Sequence, residues 1–138
     1  MKRRAASLVA AAIVVGLSAC GGGSSNSDTW KQAAGRACDE RFASVQTASV
    51  QLTEQSTAEQ FASFFSKFFE PAYRKQLDAM RAAKPPDETA TRLVADTSAV
   101  LDAMAADPGS FAVAADPFAG VDSRWDAYGL AACGTRGG

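Results

Sequence analysis

The sequence contains no histidine, and this absence excludes several kinds of chemistry. Histidine is the usual general base of serine and cysteine hydrolases, so the familiar Ser-His and Cys-His pairs cannot form. A structural zinc site needs a tetrahedral set of nitrogen or sulfur ligands, which three cysteines alone do not supply. The chain also has no phosphate-binding loop, no Cys-x-x-Cys motif and no calcium-binding loop. We therefore expect no catalytic residues, no metal site and no cofactor, and we expect a protein that is not an enzyme.

Outside Lys2, Arg3 and Arg4, clusters of basic residues are lacking as well, and the whole chain has 14 lysines and arginines against 15 acidic residues. A nucleic-acid-binding surface needs clustered positive charge, so nucleic acid is not an expected partner. The carboxylate pairs Asp39-Glu40 and Asp87-Glu88 are adjacent in sequence. A glycosidase places its two carboxylates across a cleft, whereas adjacent acids suit a solvated helix surface or a helix cap.

No apolar run is long enough to be a typical transmembrane helix, which needs about 20 residues. The apolar run from Leu8 to Leu17 follows Lys2, Arg3 and Arg4, and this order of basic and apolar segments is typical of an export signal. The signal ends in Leu17-Ser18-Ala19-Cys20, which is followed by glycines and serines. This tetrapeptide resembles the lipobox of bacterial lipoproteins. The alternatives are an uncleaved membrane anchor and an ordinary secretory signal that is cleaved without lipidation.

The resemblance implies that Cys20 receives a diacylglyceryl group, that the chain is cleaved before it, and that the new amine is often acylated, typically with palmitate. Two or more acyl chains give stable anchoring, where one chain is marginal. We therefore expect a signal peptide at 1–19, a lipidated cysteine with a flexible Gly/Ser tether at 20–27, and one helical domain at 28–138. The expected location is the extracytoplasmic face of the cell membrane, with the membrane as a partner through Cys20. Loss of the three basic residues of the leader lowers the formal charge from −1 to −4.

The domain is predicted to be all-α, a bundle of about four helices, because apolar residues recur at helical spacing between turn signals. We expect Asp28 or Thr29 to cap the first helix, a capping box from Ser56 to Glu59 to open the second, and Asp87 or Thr89 to cap the third. The last helix is expected after Pro117 and ends at a left-handed Gly129, with residues 134–138 frayed. The predicted inner faces are Trp30, Ala34, Ala37, Cys38, Phe42, Val45 and Leu52; Tyr73, Leu77 and Met80; Leu93, Val94, Thr97, Val100, Leu101 and Met104; and Val121, Trp125 and Tyr128.

The second helix carries a phenylalanine stripe, defined as Phe61, Phe64, Phe65, Phe68 and Phe69. The apolar residues after Pro71 point roughly 90° away from this stripe at 100° per residue. Since proline removes one backbone hydrogen bond and clashes with the preceding turn, we expect the helix to bend or restart at Pro71. The stripe is interpreted first as the core of the bundle. A groove for an apolar ligand or a partner helix, and direct contact with the membrane surface, are the alternatives.

Two cysteines, Cys38 and Cys133, remain once Cys20 is assigned to lipid. In an exported protein we expect them to form a disulfide bond, which would close a loop of about 95 residues and contribute about 4–5 kcal/mol in the chain-entropy model. Two free thiols or a metal site are the alternatives.

The domain also resembles small actinobacterial lipoproteins, through the cysteine in the first helix, the Pro85-Pro86 pair between two long helices, and the segment Tyr128-Gly129-Leu130-Ala131-Ala132-Cys133-Gly134. The resemblance implies a helical domain closed by a disulfide and a location in the cell envelope, and it implies no activity. Two functions follow as hypotheses. One is a binding module that presents a groove or face to an apolar ligand or an envelope protein, and the other is a structural or accessory subunit of an envelope complex.

Overall fold

The computed structural model describes residues 25–109 and 116–137, and every regular element within these ranges is helical. The predicted all-α fold is therefore confirmed. In chain order the elements are α1 (Asn26–Ser49), α2 (Ala58–Phe64), a π-helical segment (Phe65–Phe69), α3 (Glu70–Ala82), α4 (Glu88–Ala106) and α5 (Ala119–Ala127). Because α2, the π-helical segment and α3 follow one another without a break, the described chain forms four helical rods.

The first helix begins earlier than predicted. Ser25 is its N-cap, and the Ser25 hydroxyl accepts a hydrogen bond from the amide of Asp28. Asp28 is thus the third residue of α1 rather than its cap, and the proposed caps at Asp28 and Thr29 are wrong. A short polar side chain at the N-cap satisfies an amide that has no partner within the helix. Asn26 and Ser27, which the sequence analysis placed in the tether, belong to α1.

The capping box of α2 is shifted by one residue from its predicted place. Thr57 is the N-cap, with Gln60 as its reciprocal partner, whereas the sequence analysis proposed Ser56 and Glu59. Both pairs fit the capping-box pattern, and Ser56 instead accepts a hydrogen bond from the Thr53 amide. The predicted cap of α4 is confirmed at Asp87, whose carboxylate accepts from the amide of Ala90.

The irregularity predicted at Pro71 takes the form of the π-helical segment, which ends two residues before the proline. Within this segment the amide of Glu70 donates to the carbonyl of Phe65, five residues back. A π turn holds about one residue more than an α turn, so everything after it rotates by about 100° relative to what precedes it. This rotation matches the change of apolar face that the sequence shows. Consequently Phe64 before the segment and Leu77 after it both lie on the buried side of one rod.

The core lies between α1, α3, α4 and α5, and two tryptophans mark its centre. Trp30 and Trp125 are buried and their rings stack at 6.4 Å. The Trp30 indole donates to the carbonyl of Met80, and the Trp125 indole donates to the hydroxyl of Thr97. Trp30 is thus a core residue, as expected, and each buried indole N–H has an acceptor. The predicted inner face of α4 is buried except for Val100, which is half-buried.

The chain after α5 turns back against α1. Gly129 has a φ of +87°. Its amide donates to the backbone carbonyl of Asp126, and the amide of Leu130 donates to that of Trp125, which is the pattern of a Schellman motif. The predicted left-handed Gly129 is therefore confirmed. Cys133 then forms a disulfide with Cys38, with the Cα atoms 5.1 Å apart. The expected disulfide is confirmed, and free thiols and a metal site at these two cysteines are excluded.

The expectation that residues 134–138 are frayed is wrong for the described part of that segment. Gly137 is buried, and its carbonyl accepts a hydrogen bond from the guanidinium of Arg41 in α1. A side chain at Gly137 would collide with the backbone of Ala132 and with Arg41, so only glycine permits this approach. We call residues 131–137 the C-terminal segment. A buried arginine and the neighbouring disulfide hold it in place.

Candidate functional site

The most distinctive side chain of the bundle is Arg41, which is buried in α1 with 5% of its surface exposed. Its Nε donates to the side-chain oxygen of Gln76 at 2.9 Å, and its Nη1 donates to the Gly137 carbonyl at 2.5 Å. The guanidinium also lies over the ring of Tyr73, with 4.5 Å between its carbon and the ring centroid. Three contacts, two from α3 and one from the C-terminal segment, therefore fix this cation, which forms no ion pair within 4 Å among the described residues. Its partners are two neutral acceptors and an aromatic face.

A cavity of about 440 Å³ opens beside Arg41, between α1, α3 and the start of α5. We call it the Asp122 cavity. Its volume falls within the range of about 300–1,000 Å³ that is common for small-molecule sites. Gly137 contributes to its wall, so the disulfide-held C-terminal segment helps to shape it. The lining residues are Arg41, Phe42, Val45, Gln46, Ser49, Phe69, Tyr73, Asp116, Phe118, Asp122 and Gly137.

One wall of the Asp122 cavity is aromatic. The rings of Phe69 and Tyr73 stack at 4.6 Å, and those of Tyr73 and Phe118 stack at 4.8 Å. Such ring pairs hold each other in fixed orientations, so the wall is preformed. Burial raises the pKa of the Tyr73 phenol to about 12, although the positive charge of Arg41 acts in the opposite direction. Tyr73 therefore stays a neutral hydroxyl at every physiological pH.

The lining of the cavity also includes two acids, Asp116 and Asp122. Asp122, in the first turns of α5, is buried with 7% of its surface exposed. Its carboxyl group has no hydrogen-bond donor and no cation within 4 Å among the described residues. Asp116 is exposed, and one of its oxygens accepts from the Phe118 amide at 2.9 Å. Burial, then the nearby charge of Asp116, raises the pKa of Asp122 to about 6, while Arg41 lowers it.

The structure divides the phenylalanine stripe that the sequence proposed as core or groove. Phe64, Phe65 and Phe69 are buried, and Phe61 is half-buried. Phe68 is 42% exposed, because the π turn rotates it away from the face that the other rings share. Phe69 is the one residue of the stripe that lines the Asp122 cavity. The interpretation of the stripe as core thus holds for Phe64, Phe65 and Phe69.

A second cavity, of about 280 Å³, lies beside Phe64 and Phe68. Leu52 is its other apolar neighbour, and the remaining lining residues are Gln51, Gln60, Ser63 and Lys67. This is the place where the sequence analysis expected an apolar groove. Two phenylalanines and one leucine line this cavity together with four polar residues. It is therefore less apolar than the predicted groove.

The remaining predicted site residue, Cys20, lies outside the residues that the structure describes. Within residues 25–109 and 116–137, no helix is both long enough and apolar enough to cross a bilayer. The same ranges contain no group of three or more Cys, Asp or Glu side chains arranged to hold a metal ion. Comparison with known proteins adds no assignment, since no family model, curated protein or solved structure matches the chain.

Sequence reasoning did not identify Arg41 or Asp122 as site residues. The helical count contains a signal for Asp122, which lies about 60° from Trp125 on the predicted inner face of α5. A carboxylate on an inward face is uncommon unless it is paired, so this position is informative. Arg41 adjoins Ala37 and Cys38 on the buried side of α1 in the same way.

Proposed function

We propose that this chain is a non-enzymatic binding module, anchored to the extracytoplasmic face of the cell membrane through Cys20, and that its ligand occupies the Asp122 cavity. One observation carries the binding part of the proposal. A cavity of about 440 Å³ combines an aromatic wall with the carboxyl group of Asp122, which opens on the cavity and has no partner among the described residues. Ligand sites are typically concave and apolar with a few convergent polar groups, and this cavity has that composition.

The anchoring part of the proposal is supported by the leader sequence and by the position of α1. The tether ends at Ser25, where α1 begins, so about five residues separate Cys20 from the folded domain. Replacement of Cys20 by serine should prevent lipidation, and the chain should remain an unprocessed precursor or be released from the membrane. Mass spectrometry and membrane fractionation measure both results. A Cys20→Ser protein that is still processed and membrane-bound with the normal mass would contradict the anchor.

The binding part can be tested by filling the cavity. Gln46 is exposed and lines the cavity mouth, so Gln46→Trp should occupy the space without disturbing the core. Native mass spectrometry of protein extracted from membranes should show a small molecule retained by the unaltered chain and lost from this variant. Gln32→Trp is the matched control, because Gln32 is exposed on α1 and does not line the cavity. Equal retention by both variants would place the ligand elsewhere.

A second candidate function, an accessory subunit of an envelope complex, is supported by a different observation. Phe68 is 42% exposed and Val50 is 79% exposed, although both are large apolar side chains. Phe68 also borders the smaller cavity with Leu52. Exposed apolar side chains that adjoin a cavity favour a protein-docking surface. If this function is correct, Phe68→Ser should abolish co-purification of a partner protein, whereas Gln46→Trp should preserve it.

A further inference from the structure

The carboxyl group of Asp122 lines the cavity and has no hydrogen-bond donor and no ion-pair partner among the described residues. Only 7% of the residue is exposed, and its backbone amide, but not its side chain, is hydrogen-bonded within the fold, to the Phe118 carbonyl. The carboxyl oxygens are open to the cavity, so solvent or a ligand supplies the hydrogen bonds that a buried carboxylate normally obtains from the protein. Asp126, one turn further along α5, illustrates the contrast, since it accepts hydrogen bonds from the amide and hydroxyl of Thr135.

The one cation in the cavity does not fill this role. Two donors of Arg41 are taken by Gln76 and Gly137, and the guanidinium plane lies over Tyr73. No ion pair joins Arg41 to Asp122 within 4 Å. Arg41 thus holds the C-terminal segment in place. Among the described lining residues the cavity has two acids and one base, so their net charge is negative when both acids are ionised.

We propose that the Asp122 cavity binds a protonated organic amine, with the ammonium group on the Asp122 carboxylate and an aromatic or alkyl body against Phe69, Tyr73 and Phe118. This inference rests on the proposed function and specifies its ligand class. An ammonium group supplies the N–H donors that the carboxylate lacks, and its single charge balances the net charge of −1 on Asp116, Asp122 and Arg41 together. Aromatic faces favour the adjacent cationic and apolar groups of such a ligand.

Other ligand classes fit the lining less well. A calcium ion takes about six to eight oxygen ligands, whereas this cavity offers two carboxylates among aromatic rings. An anionic ligand would be repelled by Asp116 and Asp122 when both are ionised. A neutral apolar ligand would bury the Asp122 carboxyl group further and leave it without a donor.

Three probes of similar shape and different charge test the ligand class. These are phenethylamine, 2-phenylethanol and phenylacetate, titrated by NMR into the full-length protein held in phosphatidylcholine nanodiscs. We expect saturable shifts at Tyr73 and Phe118 with the amine, and at least tenfold weaker binding of the alcohol and the carboxylate. If the neutral or anionic probe binds this cavity as tightly as the amine, the ligand class is wrong although the binding site stands. If no probe shifts these residues, the cavity is not a ligand site for such molecules, and both proposals fail.

Substitution of Asp122 separates the carboxylate from the rest of the cavity. Asp122→Asn keeps the side-chain shape and should weaken phenethylamine binding at least tenfold, while 2-phenylethanol should bind as before. Asp39→Asn is the matched control, because Asp39 is an exposed acid on α1 outside the cavity and its loss changes the net charge equally. Equal weakening by both substitutions would show that only the overall charge matters. If the Asn variant fails to fold, the ratio of the three probes in the unaltered protein still decides the question.

Discussion

The guanidinium of Arg41 donates a hydrogen bond of 2.5 Å to the backbone carbonyl of Gly137, across a sequence separation of 96 residues. This contact joins the middle of α1 to the C-terminal segment. It lies one helical turn after Cys38, whose disulfide to Cys133 brings the segment to the same face of α1. A covalent and a polar contact therefore hold the segment at neighbouring positions. The Gly137 side of the Asp122 cavity depends on both.

Replacement of Arg41 by alanine should release the C-terminal segment. The change leaves the Gln76 oxygen and the Gly137 carbonyl without their donor and removes a buried side chain, so we expect a loss of about 2–4 kcal/mol in the free energy of unfolding. Urea unfolding measures this loss, and amide exchange should increase first at residues 131–137. Arg36→Ala, at an exposed position of the same helix, should change stability by less than about 0.5 kcal/mol. Equal effects of the two substitutions would contradict a role for the Arg41 contacts.

Removal of the disulfide should weaken the same region more broadly. Reduction, or the double substitution Cys38→Ser with Cys133→Ser, should lower the free energy of unfolding by about 2–5 kcal/mol, because the cross-link restricts the unfolded chain. Amide exchange should rise first between residues 117 and 133, where α5 contributes few core residues of its own. Mass spectrometry of the non-reduced protein provides a direct check. Two alkylatable thiols at Cys38 and Cys133 in the purified, non-reduced protein would contradict the bridge.

Asp122 should make stability depend on pH in a definite direction. Its pKa rises from 3.8 to about 6 on folding, so the folded protein holds this proton more tightly than the unfolded chain does. The stability that the proton contributes is complete below pH 4 and is lost as the pH rises through 6. Between pH 4 and pH 7 the wild-type protein should therefore lose on the order of 2 kcal/mol relative to Asp122→Asn. Urea unfolding of both proteins at the two pH values measures the difference, and a difference that does not change with pH would refute the assignment.

The π-helical segment predicts an asymmetry between two deletions in one rod. Deletion of Lys67 removes the extra residue of the π turn, so α2 and α3 can join as one α-helix with Leu77 and Met80 still facing the core. We expect a cost below about 2 kcal/mol, measured by urea unfolding. Deletion of Lys75, which is also exposed, turns Leu77 and Met80 away from the core by about 100° and should cost more than about 4 kcal/mol. Similar losses in the two proteins would show that the segment does not set the register.

The helices and most of their buried faces could be predicted from the sequence, because spacing and turn residues report directly on helical structure. Leu93, Leu101 and Trp125 all lie where the count places them. Helix starts were less certain, since Ser25 and Thr57 each stand within a few residues of another side chain able to cap. The sequence also shows the rotation of the apolar face. The cause of this rotation could not be predicted, because a proline bend and an inserted residue both change which side of the helix is apolar.

The candidate site could not be predicted in the same way, because its residues come together only in the folded chain. Arg41, Tyr73 and Asp122 lie on three different helices and share no spacing in the sequence. Nothing in the sequence indicates that Gly137 is buried, since a terminal run of small residues is typical of a frayed end. Its buried position depends on the acceptor that its carbonyl offers to Arg41.

The Cys38–Cys133 bond has a topological consequence for proteolysis of the domain. With a sequence separation of 95, it encloses most of the described chain in one covalent ring that includes α2, α3, α4 and α5. A protease that cuts the backbone once within this ring opens it but releases no fragment. The nicked protein keeps its mass apart from one added water, and its two pieces remain joined by the disulfide. Proteolytic damage to this domain would therefore be visible on a gel only after treatment with a reducing agent.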